Sequence, residues 1–530
     1  MKIERFFNTA GPVIKGDHYC IDPLQRIKLD EILTLIGQKK HFILHAPRQT
    51  GKTSYLLALM EYLNRQGEYN VLYTNIESAQ AARENVKEGI KAIMSSIAKD
   101  AFNRLNDPFL KESWREVLEK NGEFTALENL LSLWCRQSEK PVVLFIDEVD
   151  ALVGDTLISL LRQLRSGYTD RPALFPQSII LCGVRDVKDY RMHLDKDKSV
   201  ITGGSAFNIK SESMQLGNFT PREIEELYRQ HTAETGQPFN DDIFPLVWEL
   251  TEGQPWLVNA LAYEVCFKME AGRDRGKEIT QVMIEQAKEN IILRRETHLD
   301  QLMDKLKEDR VKRVLTPILT GSEKIEKIPD DDIDYVSDLG LIKKKPNMAI
   351  ANGVYREVIP RQLTYSYQLS IVQEASWYMK EDGRLDMDKL LTAFQEFFRK
   401  HFESWVDGFD YAEAGAQLLL QAFLQRIVNG GGRVEREYGL GRMRTDLLLI
   451  WPYRDSQAMQ KVVLELKLRY ESLAKTIEKG LEQTWQYMDK CGTKEGYLLV
   501  FDTSKKASWK DKIFKKEKSF NGTRIKIYGM

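Results

Sequence analysis

The sequence predicts an α/β protein whose N-terminal half is a parallel sheet flanked by helices. Three observations carry this. The apolar run Phe42-Ile43-Leu44 leads into His45-Ala46-Pro47-Arg48-Gln49-Thr50-Gly51-Lys52-Thr53-Ser54 and then Tyr55-Leu56-Leu57-Ala58-Leu59-Met60, in the order strand, tight loop, helix. A second run, Pro141-Val142-Val143-Leu144-Phe145-Ile146, is uninterrupted and ends in Asp147-Glu148-Val149-Asp150, the pattern of a buried parallel strand whose C-terminal end meets a ligand. Around these two, strand-like and helix-like segments alternate.

Taken in order, residues 1–40 carry Phe6-Phe7 and Gly11-Pro12, then Leu29, Ile32, Leu33 and Ile36 at helical spacing, a helix before the first core strand. The following loop reads as a phosphate cradle, because backbone N–H groups at a helix start converge on phosphate oxygens with the helix dipole behind them. Ala46, Pro47, Arg48, Gln49, Thr50, Gly51, Lys52, Thr53 and Ser54 are the candidate nucleotide contacts, with Lys52 on the β/γ-phosphates and the Thr53 hydroxyl on Mg²⁺. Ala46 stands where the motif has a first glycine, which is tolerable if that residue needs no positive φ. Asn70–Glu77 reads as a second strand, and a long helical region covers roughly 80–137. At the end of the third strand, Asp147 is the candidate for the Mg²⁺ shell and Glu148 for the group that orients or deprotonates the attacking water. Leu157, Leu160, Leu161 and Leu164 share one helix, and Ser178–Val184 reads as a fourth strand. Arg48, Arg162, Arg165, Arg171 and Arg185 are candidates to sense the γ-phosphate, a role defined by geometry that sequence does not choose among.

Composition sets bounds. A chain of 530 residues implies about three or four domains. With 77 basic and 78 acidic residues the net charge is −1, so any nucleic-acid surface must be local. Cys20, Cys135, Cys182, Cys266 and Cys491 form no CxxC pair, which fits a reducing compartment and argues against a zinc site. No long apolar segment predicts secretion or a membrane span, so a cytoplasmic protein without a membrane partner is expected.

Residues 1–290 resemble AAA+-like ATPases of the STAND kind and the archaeal-type ATPases, through the phosphate loop, Ile146-Asp147-Glu148, and Thr251-Glu252-Gly253-Gln254-Pro255-Trp256-Leu257. The resemblance implies ATP as ligand, a P-loop ATPase core over 1–219, a helical lid over 220–295, and Pro255 against the nucleotide base. Thr220-Pro221-Arg222-Glu223 is a helix-start signature at the head of that lid. Residues 296–365 have the pattern of a winged helix, whose recognition segment Ile333-Asp334-Tyr335-Val336 follows Asp330-Asp331-Asp332. That acidity opposes phosphate contact, favouring a structural joint over a DNA reader. Residues 366–400 read as a helical linker.

The region 401–530 reads as a helix carrying Glu413, a turn at Asn429-Gly430-Gly431-Gly432, three strands, a helix and a strand. It resembles the PD-(D/E)xK nuclease superfamily, a restriction-endonuclease-like α/β fold, through Asp446 at the head of one strand and Glu465-Leu466-Lys467 on the next. Glu465 and Lys467, two apart on a strand, share a face. The resemblance makes Asp446 and Glu465 ligands of Mg²⁺ or Mn²⁺, Glu413 the helical acid that completes the set, Lys467 the stabiliser of the attacked phosphate, and Gln483 with Tyr487 an accessory Gln-x-x-x-Tyr motif. Thr445 stands where the name has proline. Lys505, Lys506, Lys510, Lys512, Lys515, Lys516 and Lys518, with Trp509 and Phe514 among them, form a basic cluster suited to tracking a phosphate backbone. The joint expectation is an ATPase, a homo-oligomer with a neighbour's arginine in its site, whose nucleotide state controls a nuclease acting on DNA in preference to RNA. Architecture alone connects it with genome defence. The alternatives are an ATP-dependent switch or scaffold with a non-catalytic C-terminal domain that binds nucleic acid or a protein, and a slow ATP timer without nucleic acid.

Overall fold

The computed structural model describes residues 4–184, 212–294, 304–320, 328–363, 378–408, 433–437, 446–453, 458–469, 472–502 and 507–530, with single positions at 299, 302, 420, 423, 424 and 504. The chain divides into two compact bodies. One comprises Met1–His298, Asp334–Lys343 and Ala351–Val354, and the other Leu299–Ile333, Lys344–Ile350 and Tyr355–Met530.

The first body opens with β1 (Phe6–Phe7) and β2 (His18–Tyr19), a short parallel pair, then α1 (Leu29–Gly37), β3 (Phe42–His45), α2 (Lys52–Gln66) and β4 (Asn70–Asn75). Three helices follow, α3 (Val86–Leu105), α4 (Phe109–Asn121) and α5 (Ala126–Gln137), then β5 (Val142–Asp147), α6 (Gly154–Ser166), β6 (Ser178–Gly183) and β7 (Glu212–Gln215). The single long helical region expected over 80–137 is thus broken, at Asn106 (φ 55°) and at Gly122 (φ 69°), where the chain leaves the right-handed region. The strands form one parallel sheet in the order β4-β5-β6-β3-β7. Alternation along each strand feeds two cores. Leu72, Leu144, Ile146 and Leu181 pack with α3, α5 and α6 on one face, while Val71, Tyr73, Phe145 and Cys182 pack with α1 and α2 on the other. β7 was not expected, because Glu-Ser-Met-Gln on the sheet edge has no apolar run to announce it.

The lid region holds α7 (Pro221–Thr235), α8 (Ile243–Thr251), α9 (Pro255–Tyr263), a π-turn over Glu264–Lys268, α10 (Glu270–Arg273) and α11 (Gln281–Arg294). Thr220 and Glu223 cap α7 reciprocally, with Pro221 at its first position. The expected winged-helix region contains α12 (Asp309–Thr320), α13 (Asp330–Asp338), β8 (Ile342–Lys343), β9 (Ala349–Ile350) and α14 (Gly353–Leu363). Asp330-Asp331-Asp332 are the first turn of α13, where the dipole favours acids, and Asp332 pairs with Arg310 at 3.2 Å and Arg313 at 2.7 Å.

The rest of the second body runs α15 (Met387–Gly408), β10 (Arg433–Glu437), β11 (Asp446–Tyr453), β12 (Ala458–Leu468), α16 (Leu473–Cys491), β13 (Gly496–Phe501), α17 (Trp509–Lys512), β14 (Phe514–Phe520) and β15 (Thr523–Gly529). Its sheet has the order β10-β11-β12-β13-β15-β14, antiparallel from β10 to β12, parallel from β12 through β13 to β15, and closed by the antiparallel β14 edge. Leu390, Leu391, Phe394 and Phe398 of α15 pack with Leu447, Leu449, Val462 and Leu464 on one face. Ile477, Leu481 and Met488 of α16 pack with Val463, Leu498 and Ile527 on the other. This corrects the linker reading of 366–400. From Met387 onward the segment is a core helix, its apolar stripe at helical spacing buried on the sheet, and it runs past the boundary placed at residue 400. Of the expected helix with Ala412, Glu413, Ala416, Leu419, Leu420 and Phe423, only Leu420 and Phe423 are described, both buried in the same core as α15, while Glu413, the Asn429–Gly432 turn, Arg185, Lys505 and Lys506 lie outside the described residues.

Candidate active site

β3 delivers the chain into the loop at His45, and Ala46 is fully buried, its N–H donating to the Gly183 carbonyl at 3.3 Å. Left-handed backbone falls instead at Gln49 (φ 57°) and at Gly51 (φ 94°), so a methyl group at position 46 is accommodated. Gly51 is the N-cap residue of α2, at a φ an L side chain rarely adopts. The Thr50 hydroxyl donates to the Pro47 carbonyl at 2.8 Å, and the Arg26 guanidinium donates to the Thr50 carbonyl at 3.0 Å and to that of Gly217. Arg26 also lies 4.6 Å over the Phe219 ring; burial draws its pKa down to about 10, leaving it charged at neutral pH. Lys52 is buried, with its ammonium donating to the carbonyls of Ala46 (2.8 Å) and Pro47 (3.0 Å). The Ser54 hydroxyl accepts from the Val13 N–H at 3.0 Å and so ties the N-terminal segment to the loop.

The acids at the end of β5 meet this loop. Asp147 is wholly buried and accepts three hydrogen bonds: from the Thr53 hydroxyl at 2.8 Å and the Tyr73 phenol at 2.9 Å on Oδ2, and from the Glu148 N–H at 2.9 Å on Oδ1. Two oxygen donors, Thr53 Oγ1 and an Asp147 carboxylate oxygen, therefore stand side by side, a donor set suited to Mg²⁺. Glu148 has left-handed backbone (φ 61°) and only partial exposure. Burial, with Asp150 and Asp147 nearby, raises its carboxyl pKa to about 7, against the opposing pull of Lys52 and Arg48. A carboxyl poised there can accept a proton at neutral pH.

Beside the loop lies a cavity of about 120 Å³, walled by the N-terminal segment (Asn8–Gly11, Tyr19, Cys20), by Gln49 and Gly51, and by Phe219, Pro255, Trp256 and Asn259. Pro255 is the first residue of α9, whose N-terminus is capped by Gln254 Oε1 accepting from the Leu257 N–H at 2.6 Å. Gly253 (φ 72°) must be glycine, since a Cβ there would stand 1.9 Å from the Phe219 carbonyl oxygen. The Trp256 indole donates to the Thr9 carbonyl at 2.9 Å and holds the N-terminal segment over the cavity. Lys343 pairs with Glu252 at 2.7 Å. Sequence reasoning gives no role to Arg26 or Tyr73, and although it quotes Trp256 within the Thr251–Leu257 stretch it does not read the contact of that indole with the N-terminal wall, of which only the Gly11-Pro12 turn is visible. Of the candidate arginines, Arg162 and Arg165 are exposed on α6. Arg171 is taken up by Tyr168, stacking 3.3 Å from its ring and donating to its carbonyl at 2.6 Å.

In the second body, the β11–β12 ladder makes Asp446 the partner position of Glu465. Glu465 is wholly buried and Lys467 Nζ lies 2.6 Å from its Oε1. Just past the end of β12, two residues on from Lys467, Arg469 pairs with Asp502 at 2.9 Å. Gln483 is half-buried on α16 and Tyr487 is buried. Glu413 lies outside the described residues, and among those described no group of three or more His, Cys, Asp or Glu is arranged to hold a metal. The basic cluster is not one loop. Lys515, Lys516 and Lys518 are exposed on the edge strand β14, Lys515 pairs with Asp388 at 3.0 Å, and Lys512 is buried, which removes it from a solvent-facing rim. No helix among the described residues is long and apolar enough to cross a membrane.

A parallel sheet with one strand, β6, between the loop strand and the acid strand, and with Thr53 bonded to Asp147 across it, defines an AAA+-type P-loop ATPase core. Residues 26–358, more than half of the chain, match the AAA-like domain family, and the chain belongs to that family. Similar solved structures include the Walker-type ATPase of Pyrococcus abyssi, with 16% identity, 67% of this chain and 99% of that one covered, and a TM-score of 0.45. Cdc6p from Pyrobaculum aerophilum has 16% identity over 65% of this chain and 93% of its own, with a TM-score of 0.35. The Thermotoga maritima RuvB Holliday junction branch migration motor has 14% identity over 63% and 94%, with a TM-score of 0.33. No curated protein matches the chain.

Proposed function

We propose that the first body binds and hydrolyses Mg²⁺-ATP and that its nucleotide state controls phosphodiester hydrolysis by the second body on nucleic acid, DNA in preference to RNA. The observation that carries the ATP reading is the Thr53–Asp147 hydrogen bond of 2.8 Å, which joins the phosphate loop to the acid strand. Bound Mg²⁺ supplies charge neutralisation at phosphate oxygens. Lys52 and the loop N–H groups hold the phosphates, Asp147 and Thr53 fix the metal side, Glu148 takes the proton of the attacking water, and Pro255 lies against the base. An arginine from a second copy completes the site. For the second body, support comes from the pairing of positions 446 and 465 and from the wholly buried Glu465 carboxylate paired with a partly exposed Lys467, since a merely solvated strand face would not bury the acid. Asp446, Glu465 and Glu413 are the proposed Mg²⁺ or Mn²⁺ ligands, with Lys467 and Gln483 at the scissile phosphate.

The test is cleavage of labelled single- and double-stranded DNA and RNA with Mg²⁺ or Mn²⁺, with and without ATP. Lys467→Ala is expected to abolish cleavage, and Lys52→Ala to abolish ATP hydrolysis and the ATP dependence of cleavage. Intact ATP hydrolysis without cleavage under any condition would leave the switch or scaffold in place of the nuclease.

A further inference from the structure

β12 carries a third charged residue in line with Glu465 and Lys467. Val463 packs in the core on the α16 side of the sheet, while Leu464 and Leu466 pack in the core on the α15 side, so the pleat puts Glu465, Lys467 and Arg469 on the α16 side. The ladder holds as far as Arg469, whose N–H donates to the Phe501 carbonyl at 2.9 Å. On the neighbouring strand Leu498 and Val500 belong to that same side, and Asp502 follows two residues on. The Arg469 side chain, 37% exposed, donates from Nη1 to Asp502 Oδ2 at 2.9 Å. Among the described residues Nη1 is the one nitrogen of this guanidinium in a hydrogen bond, which leaves the Nε–Nη2 edge of the planar fork open. Asp502 does not depend on Arg469 alone. It accepts from the Ser504 N–H at 3.0 Å and lies in the field of the buried Lys512 ammonium, whose pKa burial lowers against the opposing pull of Asp502. A half-exposed ion pair adds little to stability, so stability is a poor account of an arginine aimed in this way.

We propose that Lys467 and Arg469 form a track for two successive phosphates of one nucleic-acid strand, Lys467 at the scissile phosphate and the Nε–Nη2 edge of Arg469 on its neighbour. This rests on the nuclease reading given above and adds a positioning residue to it. Alternate residues of a strand stand about 6.6 Å apart, close to the step between neighbouring phosphates of one nucleic-acid strand. A guanidinium edge matches two phosphate oxygens at once, whereas an ammonium acts as a point charge. Asp502 aims the fork by holding Nη1, and its own negative charge opposes the incoming phosphate. Removing Arg469 and neutralising Asp502 must therefore move binding in opposite directions, whereas breaking a merely structural pair from either side would move it the same way.

The experiment is a salt titration of Kd for labelled single- and double-stranded DNA and RNA oligonucleotides on the full chain, with Lys467→Ala in every protein so that the probe stays whole. Arg469→Gln is expected to weaken binding about tenfold and to reduce the slope of log Kd against log salt by about one, the mark of one lost phosphate contact. Arg469→Lys keeps the charge and should keep the slope, while losing part of the affinity with the fork. Asp502→Asn keeps an acceptor for Nη1 and removes the opposing charge, so binding should tighten about threefold. An unchanged slope in Arg469→Gln, or weakened binding in both Arg469→Gln and Asp502→Asn, would overturn the assignment and leave the nuclease reading to stand on cleavage. Failure of the intact chain to bind or cleave any of the four probes would instead remove the nuclease reading, and this assignment with it.

Discussion

Tyr73 shows how much of the metal side depends on a residue outside the motifs. Its phenol is one of three donors to a wholly buried carboxylate, and a hydrogen bond to a charged group contributes about 1.5–3 kcal/mol. When Thr53 turns its hydroxyl to the metal, Tyr73 is the side-chain donor that still aims Asp147. Tyr73→Phe is therefore expected to lower Mg²⁺-dependent ATP affinity by about tenfold while leaving metal-free affinity near that of the intact protein. Equal losses with and without Mg²⁺ in paired titrations would mean that the phenol serves only packing. Glu148 gives a pH prediction. Its carboxyl is raised to about 7, so below that pH it carries a proton and cannot take one from water. The kcat/KM for ATP hydrolysis should fall as pH drops below about 7, well above the ordinary carboxylate range, and this acid limb should vanish from the residual activity of Glu148→Gln. An acid limb near the usual carboxylate pKa would place the base elsewhere.

At the scale of elements, the lid is hung on a turn with no room in it. Gly253→Ala would drive a methyl group into the Phe219 carbonyl at a backbone geometry that already disfavours a side chain, and strain of this kind costs about 1–3 kcal/mol. The expected result is weaker ATP binding and a lower unfolding midpoint for the first body. An unchanged midpoint and Kd would show that the turn relaxes freely. Phe394→Ala tests α15 in the same way. Phe394 is fully buried against the second sheet, and its truncation should cost about 3–5 kcal/mol, which no linker residue would. What sequence made legible follows the same physics. Gly51-Lys52-Thr53 and Asp147-Glu148 are readable because phosphate and metal chemistry restricts residue type at fixed spacing, whereas Pro255 is marked only by a family resemblance. Tyr73 meets Asp147 from 74 residues away and Trp256 reaches Thr9 across 247, and no local pattern records such meetings. The β14–β15 hairpin escaped for another reason: its lysines dominate the composition, while the apolar positions that place it, Phe514, Phe520, Ile525 and Ile527, are spread thinly between them. α15 had the right helical signal but lacked a sign of which sheet it covers.

For the whole molecule, each body has its own paired cores, one on either face of its sheet. Calorimetry should therefore resolve two unfolding transitions. Mg²⁺-ATP at about 100 times its Kd stabilises whatever binds it by about 2.7 kcal/mol, and Lys52→Ala should abolish that gain. If nucleotide state controls chemistry in the second body, binding free energy must be shared between the two, since a ligand shifts only the equilibria in which it binds the states differently. The transition assigned to the second body by its sensitivity to Phe394→Ala is then expected to move with ATP in the intact chain and to stay fixed in Lys52→Ala. By reciprocity, nucleic acid bound to the second body should change ATP affinity by the same factor that ATP changes its own. A first transition that rises with ATP beside a second that does not move, together with an ATP Kd indifferent to DNA, would sink nucleotide control. The chain would then carry two independent sites.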